Sequence, residues 1–137
     1  MRTICTALAL VALTGCAATA QNQRHTQIHD AMSNTTFMYQ DPADGDATVT
    51  LIRDHGLNGA GCSSAIYVDD HAVADMEIGQ QLVLHVPAGT RKLTLLPHGA
   101  CASQRLDADA SVNKGESKVF RISPDGGSLT PEAHTSG

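Results

Sequence analysis

The stretch "RLDADASV", residues 105–112, alternates apolar or small residues with polar residues along its whole length. The apolar or small positions are Leu106, Ala108, Ala110 and Val112. Successive side chains of a β-strand point to opposite faces of the sheet. This pattern therefore predicts a strand that buries one face and exposes the other.

Similar short stretches lie before and after it, and turn-forming residues separate them. The further predicted strands are "ATVTLIRD" at 47–54, "AIYVDD" at 65–70, "HAVADM" at 71–76, "QQLVLHVP" at 80–87, "RKLTLLP" at 91–97 and "KVFRIS" at 118–123. No long segment has helical periodicity. The spacing predicts an all-β fold, a single small antiparallel β-sandwich of about seven strands over residues 47–123.

The chain begins with "MRTICTALALVALTGC", which has the layout of a secretion signal: Arg2 precedes a short apolar run. The run is shorter than the roughly 20 residues that a membrane-spanning helix needs. "LTGC" at 13–16 follows it and resembles the lipobox of bacterial lipoproteins. The resemblance implies a signal peptide over 1–15 and fatty acyl chains, such as palmitate, on Cys16. The alternative is an ordinary signal cleaved nearby, with Cys16 incidental.

The residue after Cys16 is Ala17 rather than Asp, and the same resemblance then implies the periplasmic face of the outer membrane. The formal net charge is −5 with scattered basic residues, which argues against nucleic acid as a partner. We therefore expect the membrane, contacted through the lipid anchor, and an envelope protein as partners.

Two segments lack a clear strand pattern. Residues 16–46 are polar with weak periodicity, which predicts a lipidated cysteine followed by a flexible tether; "HTQIHDAM" at 25–32 has the spacing of one or two helical turns. Residues 124–137 are rich in Gly, Pro, Ser and Thr and predict a disordered tail.

The cysteines have different expected roles. Cys5 leaves with the signal and Cys16 carries the lipid, so Cys62 and Cys101 remain as an even pair in an oxidising compartment. We predict one disulfide between them. The alternative, free or metal-binding thiols, would need further ligands that are not clustered around either cysteine.

A resemblance covers about half of the mature chain. The segments "IYVDDHAVADMEIGQQLVLHVPAGTRKLTLLPHG" at 66–99 and "VNKGESKVFRIS" at 112–123 resemble PEGA-type and related small-lipoprotein β-domains. The resemblance implies an Ig-like or prealbumin-like sandwich of unassigned function with no catalytic residues to carry over. The pair Cys62 and Cys101 is not part of that pattern.

Two groups of residues suggest metal ligands. On a helix, His25, His29 and Met32 would share one face, and imidazole with thioether suits copper. "DDHAVAD" at 69–75 offers three carboxylates and one imidazole, although a hairpin turn explains these residues better. We predict solvated tether residues in the first group, no bound cofactor and no metal, with a periplasmic copper- or zinc-binding protein as the alternative function.

The sequence offers little to support catalysis. Ser63 follows Cys62, but "GCSSA" lacks the glycine spacing of a nucleophile elbow. A hydrolase using Ser63 is thus the weakest alternative. The sequence predicts a non-catalytic, membrane-anchored envelope lipoprotein that acts as a structural or protein-interaction module in the periplasm.

Overall fold

The computed structural model describes residues 28–31, 36–56, 61–99 and 104–133. They form an all-β domain of two sheets, which confirms the predicted class. The strands are β1 (His29–Asp30), β2 (Ala47–Arg53), β3 (Cys62–Val68), β4 (His71–Met76), β5 (Gln80–Val86), β6 (Gly89–Gly99), β7 (Leu106–Val112), β8 (Ser117–Ile122) and β9 (Leu129–Pro131). A single 3₁₀ turn at Pro42–Asp44 precedes β2.

The strands are divided between a five-stranded sheet of order β1-β5-β2-β8-β9 and a four-stranded sheet of order β4-β3-β6-β7. The described residues thus contain nine strands rather than about seven, and the two extra ones, β1 and β9, have two and three residues. Segments that short show no alternation, so the sequence pattern could not reveal them.

The expectation of purely antiparallel pairing is wrong at two places. Strand β1 pairs with β5 in parallel, and β2 pairs with β8 in parallel. Parallel neighbours cannot be joined by a tight hairpin, and here the chain between β2 and β8 runs through the other sheet. The local hairpin signals therefore carry no information about this pairing.

Both sheets contribute their inner faces to one core. In β2, Val49 and Leu51 are buried, and in the opposite sheet Leu93 and Leu95 of β6 are buried in the same apolar cluster. Strand β7 follows the predicted alternation, with its polar residues exposed and its apolar positions half-buried or buried. In β7 the alternation thus places the outer, polar face correctly, whereas in β6 three consecutive residues, Leu93 to Leu95, are buried.

The predicted domain boundaries are too narrow at both ends. Residues 124–133 are not a tail, because Leu129–Pro131 pairs with β8. Before β2, the main-chain N–H of Phe37 donates to the carbonyl of Val73, and Tyr39 packs against the core. His29–Asp30 also pairs with β5, so the predicted tether ends before β1. The described residues do not include 1–27, which contain the predicted signal peptide, and they do not include 134–137.

Candidate functional site

A cleft of about 410 Å³ lies between β7 and the strands β8 and β9. We call it the β7 cleft. Its lining residues are Asp109, Ser111, Lys118, Val119, Phe120, Pro131, Glu132 and Ala133. Apolar side chains thus form part of the wall, and charged groups of both signs surround them, an arrangement that suits a peptide side chain.

Strand β7 is the last strand of the four-stranded sheet. It pairs with β6 over its whole length, from Leu106 to Val112, and no other strand of the described chain pairs with its outer side. The opposite edge, β4, is partly covered by the bridge between Thr36 and Ala74. Because an edge strand presents unpaired N–H and C=O groups, β7 offers the longest open edge in the described structure.

The outward face of β7 carries charged side chains. Asp107 and Asp109 are exposed, and charges on an edge strand oppose unspecific pairing with other sheets. The Thr94 hydroxyl donates to the Asp107 carboxylate, and Arg105 lies 3.2 Å from the same carboxylate. These two contacts, Thr94 first, hold the pKa of Asp107 below its usual value, so this carboxylate stays ionised.

A second, smaller hollow of about 240 Å³ lies on the outer face of the four-stranded sheet. It is lined by Tyr67, Asp70, Thr94, Leu96 and Arg105. Its one acidic and one basic side chain are already paired, because the Lys92 ammonium lies 2.6 Å from Asp70 and Arg105 contacts Asp107. The hollow therefore offers less to a ligand than the β7 cleft does.

The acidic segment at 69–75 forms a hairpin turn at Asp69 and Asp70 and continues as β4, in agreement with the simpler interpretation. Asp69 and Asp70 have φ values of 49° and 69°, the left-handed conformation of a tight hairpin turn. Asp69 accepts from the Lys92 N–H at 2.9 Å and from Arg91 at 3.1 Å. Asp75 contacts His98 at 3.0 Å. The carboxylates are thus paired separately with basic groups rather than gathered around one point.

The histidine–methionine group is only partly described. His29 lies in β1, in an extended strand paired with Gln80, so the helical spacing that motivated the metal hypothesis does not hold at this residue. His25 and Met32 lie outside the described residues. In the parts of the chain that the structure covers, no group of three or more His, Cys, Asp or Glu could hold a metal ion.

Of the two predicted disulfide partners, Cys62 begins β3 and is buried. Cys101 lies outside the described residues, so the bond stays a prediction. The strand register is compatible with it, because Cys62 is paired with Gly99, two positions before Cys101. Cys16 also lies outside the described residues, and no helix within them is long and apolar enough to cross a membrane.

Arg53 is a functional candidate that the sequence analysis missed. It is 0% exposed and follows Val49 and Leu51 on the inner face of β2. Its guanidinium donates to the carbonyls of Met76 and Pro124, both at 2.7 Å, and lies 3.0 Å from the sulfur of Cys62. Burial lowers the pKa of Arg53, against nearby acidic groups that raise it. The sequence did carry a signal for it, because Arg53 follows Val49 and Leu51 at alternate positions of a strand, which places it on the buried face.

Neither a protein-family model, nor a curated protein, nor a solved structure matches this chain. The functional argument therefore rests on the residues and their geometry.

Proposed function

We propose that the mature protein is a non-catalytic envelope lipoprotein, anchored through Cys16 at the periplasmic face of the outer membrane, that binds an envelope protein along β7. The open edge of β7 beside the β7 cleft carries this proposal. The lipobox residues 13–16 support the anchor, and the short apolar run before them supports export.

Strand addition is the binding mode that this edge suits. A partner segment in extended conformation would pair with the main chain of β7, and alternate side chains would give specificity. The seven residues of β7 span about 23 Å at roughly 3.3 Å per residue, enough for a short peptide. One side chain of that peptide would enter the β7 cleft and contact Phe120 and Pro131.

The charges around the β7 cleft limit what the partner can be. Asp109 and Glu132 are exposed carboxylates at its rim, and Lys118 is the single basic residue in its lining. A partner strand with a basic residue beside an apolar one would complement this arrangement, since opposite charges increase association rate and specificity. A strongly acidic segment would be repelled.

The finer architecture is part of the same proposal. We infer an Ig-like or prealbumin-like sandwich of the PEGA type, supported by the two sheets that share one core. We also infer the disulfide between Cys62 and Cys101, supported by the position of Cys62 opposite Gly99. Such a bond would tie the start of β3 to the chain that follows β6.

Site-specific cross-linking in intact cells tests the docking edge. A photo-crosslinking amino acid replaces Asp109 in one variant and Thr50, a half-buried residue of β2, in the control. Thr50 is paired with Val83 of β5 on one side and with Val119 of β8 on the other, so the main chain of β2 offers no place for a further strand there. We expect one defined cross-linked protein from position 109 and none from position 50. The same products from both positions, or none from position 109, would exclude β7 as the docking edge.

The anchor is tested separately by Cys16→Ser. This variant should move from the membrane fraction to the soluble fraction, because no acyl chain can be attached to serine at this site. A variant that remains in the membrane after a high-salt wash would show that lipid on Cys16 does not hold the protein.

A further inference from the structure

The segment 36–40 connects the edge of the four-stranded sheet to β5 and carries two exposed apolar side chains. Phe37 is 59% exposed and Met38 is 39% exposed. Single apolar residues on a protein surface are common and need no explanation, whereas contiguous apolar groups mark contacts with proteins or membranes. Two large apolar residues in succession therefore call for a partner.

The main chain of the segment 36–40 is fixed at both ends. Near its start, Thr36 forms a β-bridge with β4, and the Phe37 N–H donates to the Val73 carbonyl at 2.7 Å. Near its end, the Tyr39 carbonyl accepts from the His85 N–H at 2.8 Å. Tyr39 has a φ of 61°, which residues other than glycine rarely adopt, and its side chain packs against the core. The exposure of the two apolar side chains is thus a property of an ordered segment.

This segment lies beside β1, the first described strand of the chain. Residues from both line one hollow of about 260 Å³, which is formed by Asp30, Ala31, Gln40, Gln81, Leu82, Val83 and His85. Val83 is 38% exposed and adds a third large apolar side chain on this side of the domain. In the described chain, only one other large apolar residue is exposed, Leu96 in the other sheet. Exposed apolar groups are therefore concentrated where the chain enters the domain.

The entry of the chain is also the end nearest to the proposed anchor. His29 stands 13 positions after Cys16, and a chain of that length spans at most about 45 Å when fully extended. A lipid surface that holds Cys16 would thus stay within reach of β1 and of the segment 36–40. Such a tether raises the effective concentration of the surface, so that even a small contact is populated.

From this placement we propose that Phe37 and Met38 insert into the lipid surface to which Cys16 attaches the protein, and so form a second membrane contact. The inference rests on the anchor in the proposed function. Apolar side chains at the acyl boundary strengthen attachment in proportion to the apolar area that they bury. The segment 36–40, "TFMYQ", has no charged side chain that insertion would have to desolvate.

The contact would also orient the docking edge. Strands β4 and β7 are the two opposite edges of the four-stranded sheet, and β1 and β9 are the two edges of the other sheet. The segment 36–40 lies at β4 and β5, whereas the β7 cleft lies at β8 and β9. With Phe37 and Met38 in the lipid surface, β7 faces away from the membrane, and its partner segment reaches it from the periplasm.

Photo-crosslinking to lipid in intact cells tests the second contact. A photo-crosslinking phenylalanine derivative replaces Phe37 in one full-length variant and Leu96, which is 41% exposed, in the control. Both positions are open to solvent, so neither replacement disturbs the core, and circular dichroism of each purified variant checks the fold. Mass spectrometry identifies phospholipid and protein adducts, and fractionation of the same cells reports how much of the chain is bound to the membrane.

We expect phospholipid adducts from position 37 and none from position 96. A membrane-bound chain without phospholipid adducts at position 37, or with equal amounts at both positions, would overturn the second contact and leave the anchor in place. Protein adducts instead of phospholipid adducts at position 37 would overturn it as well, since the apolar pair would then belong to a protein interface. A chain found in the soluble fraction would overturn the anchor itself and, with it, this inference.

Discussion

Gly126 lies in the turn between β8 and β9, and its replacement by alanine tests whether residues 124–133 belong to the fold. Gly126 is buried and has a φ of 73°, in the left-handed region that favours glycine. A Cβ atom at this position would lie 3.2 Å from the Ser64 hydroxyl oxygen and 3.2 Å from Cγ of Pro97. Ser64 is fully buried, so its hydroxyl cannot move into solvent, and the Pro97 ring is fixed to its own main chain.

Gly115 offers a matched control. It has a φ of 76°, almost the same as Gly126, but a Cβ atom there would meet nothing within 4 Å. Gly115→Ala should therefore cost only the conformational part, about 1 kcal/mol. Gly126→Ala adds the close contacts, and such overpacking costs typically about 1–3 kcal/mol. We expect a total loss of about 2–4 kcal/mol at Gly126.

Urea unfolding of the Cys16→Ser chain, followed by circular dichroism, measures both losses on one scale. The unfolding midpoint gives the change in free energy provided that the slope stays constant between variants. The two losses should differ by about 1–3 kcal/mol. Equal losses, or a Gly126→Ala variant as stable as the unmodified chain, would show that the turn does not pack against β3 and β6 as described.

Three further predictions concern the core, the same turn and the cysteines. Phe120→Ala should destabilise the domain by about 3–5 kcal/mol in urea unfolding, because Phe120 is buried in the shared core; a loss below about 1 kcal/mol would contradict that burial. The Ser123 hydroxyl and the Gly127 N–H hold the pKa of Asp125 below its usual value, so Asp125 stabilises the fold at neutral pH and this contribution is lost as the pH falls through the lowered pKa. Asp125→Asn should therefore show a smaller drop in unfolding midpoint between neutral and acidic pH; an unchanged drop would remove Asp125 from the explanation. Reduction should lower the melting temperature, and an unchanged thermal transition would argue against a stabilising bond between Cys62 and Cys101.

The sequence revealed those parts of the fold whose cause is local. The alternation at 105–112 identified β7 and its exposed face, because the period of a strand is visible in seven residues. Strand β9 could not be found in this way, since Leu129–Pro131 is too short to show a period. Its place depends on pairing with β8, which no local pattern encodes.

The composition of residues 124–137 led to the wrong prediction of a disordered tail. "PDGGS" at 124–128 has the residues of a disordered tail, and ordered turns use the same residues. Order comes here from specific contacts: Asp125 accepts from the Ser123 hydroxyl at 2.6 Å and from the Gly127 N–H at 2.9 Å. Packing of Gly126 beside Ser64 then connects the turn to a distant strand. That second contact has no signature in the segment itself.

The proposed docking edge and the buried Arg53 were each predictable only in part. That residues 105–112 form a strand was predictable, but its position at the edge of a sheet follows from the order of all the other strands. Arg53 stands in register with Val49 and Leu51, so the alternation did place it inside. Its contact with Cys62 depends on the packing of β2 against the other sheet, and a single sequence does not contain this information.

The parallel pairing of β2 with β8 has a consequence for how the chain folds. Strand β2 lies near the N-terminal end of the domain, yet Thr48 pairs with Ser117 and Arg53 pairs with Ile122. The centre of the five-stranded sheet therefore cannot form until the chain is available as far as Ile122. Closing such long loops before their contacts form slows folding. An anchor attached near the N-terminus would then hold the chain at the membrane while its last strands are still being delivered.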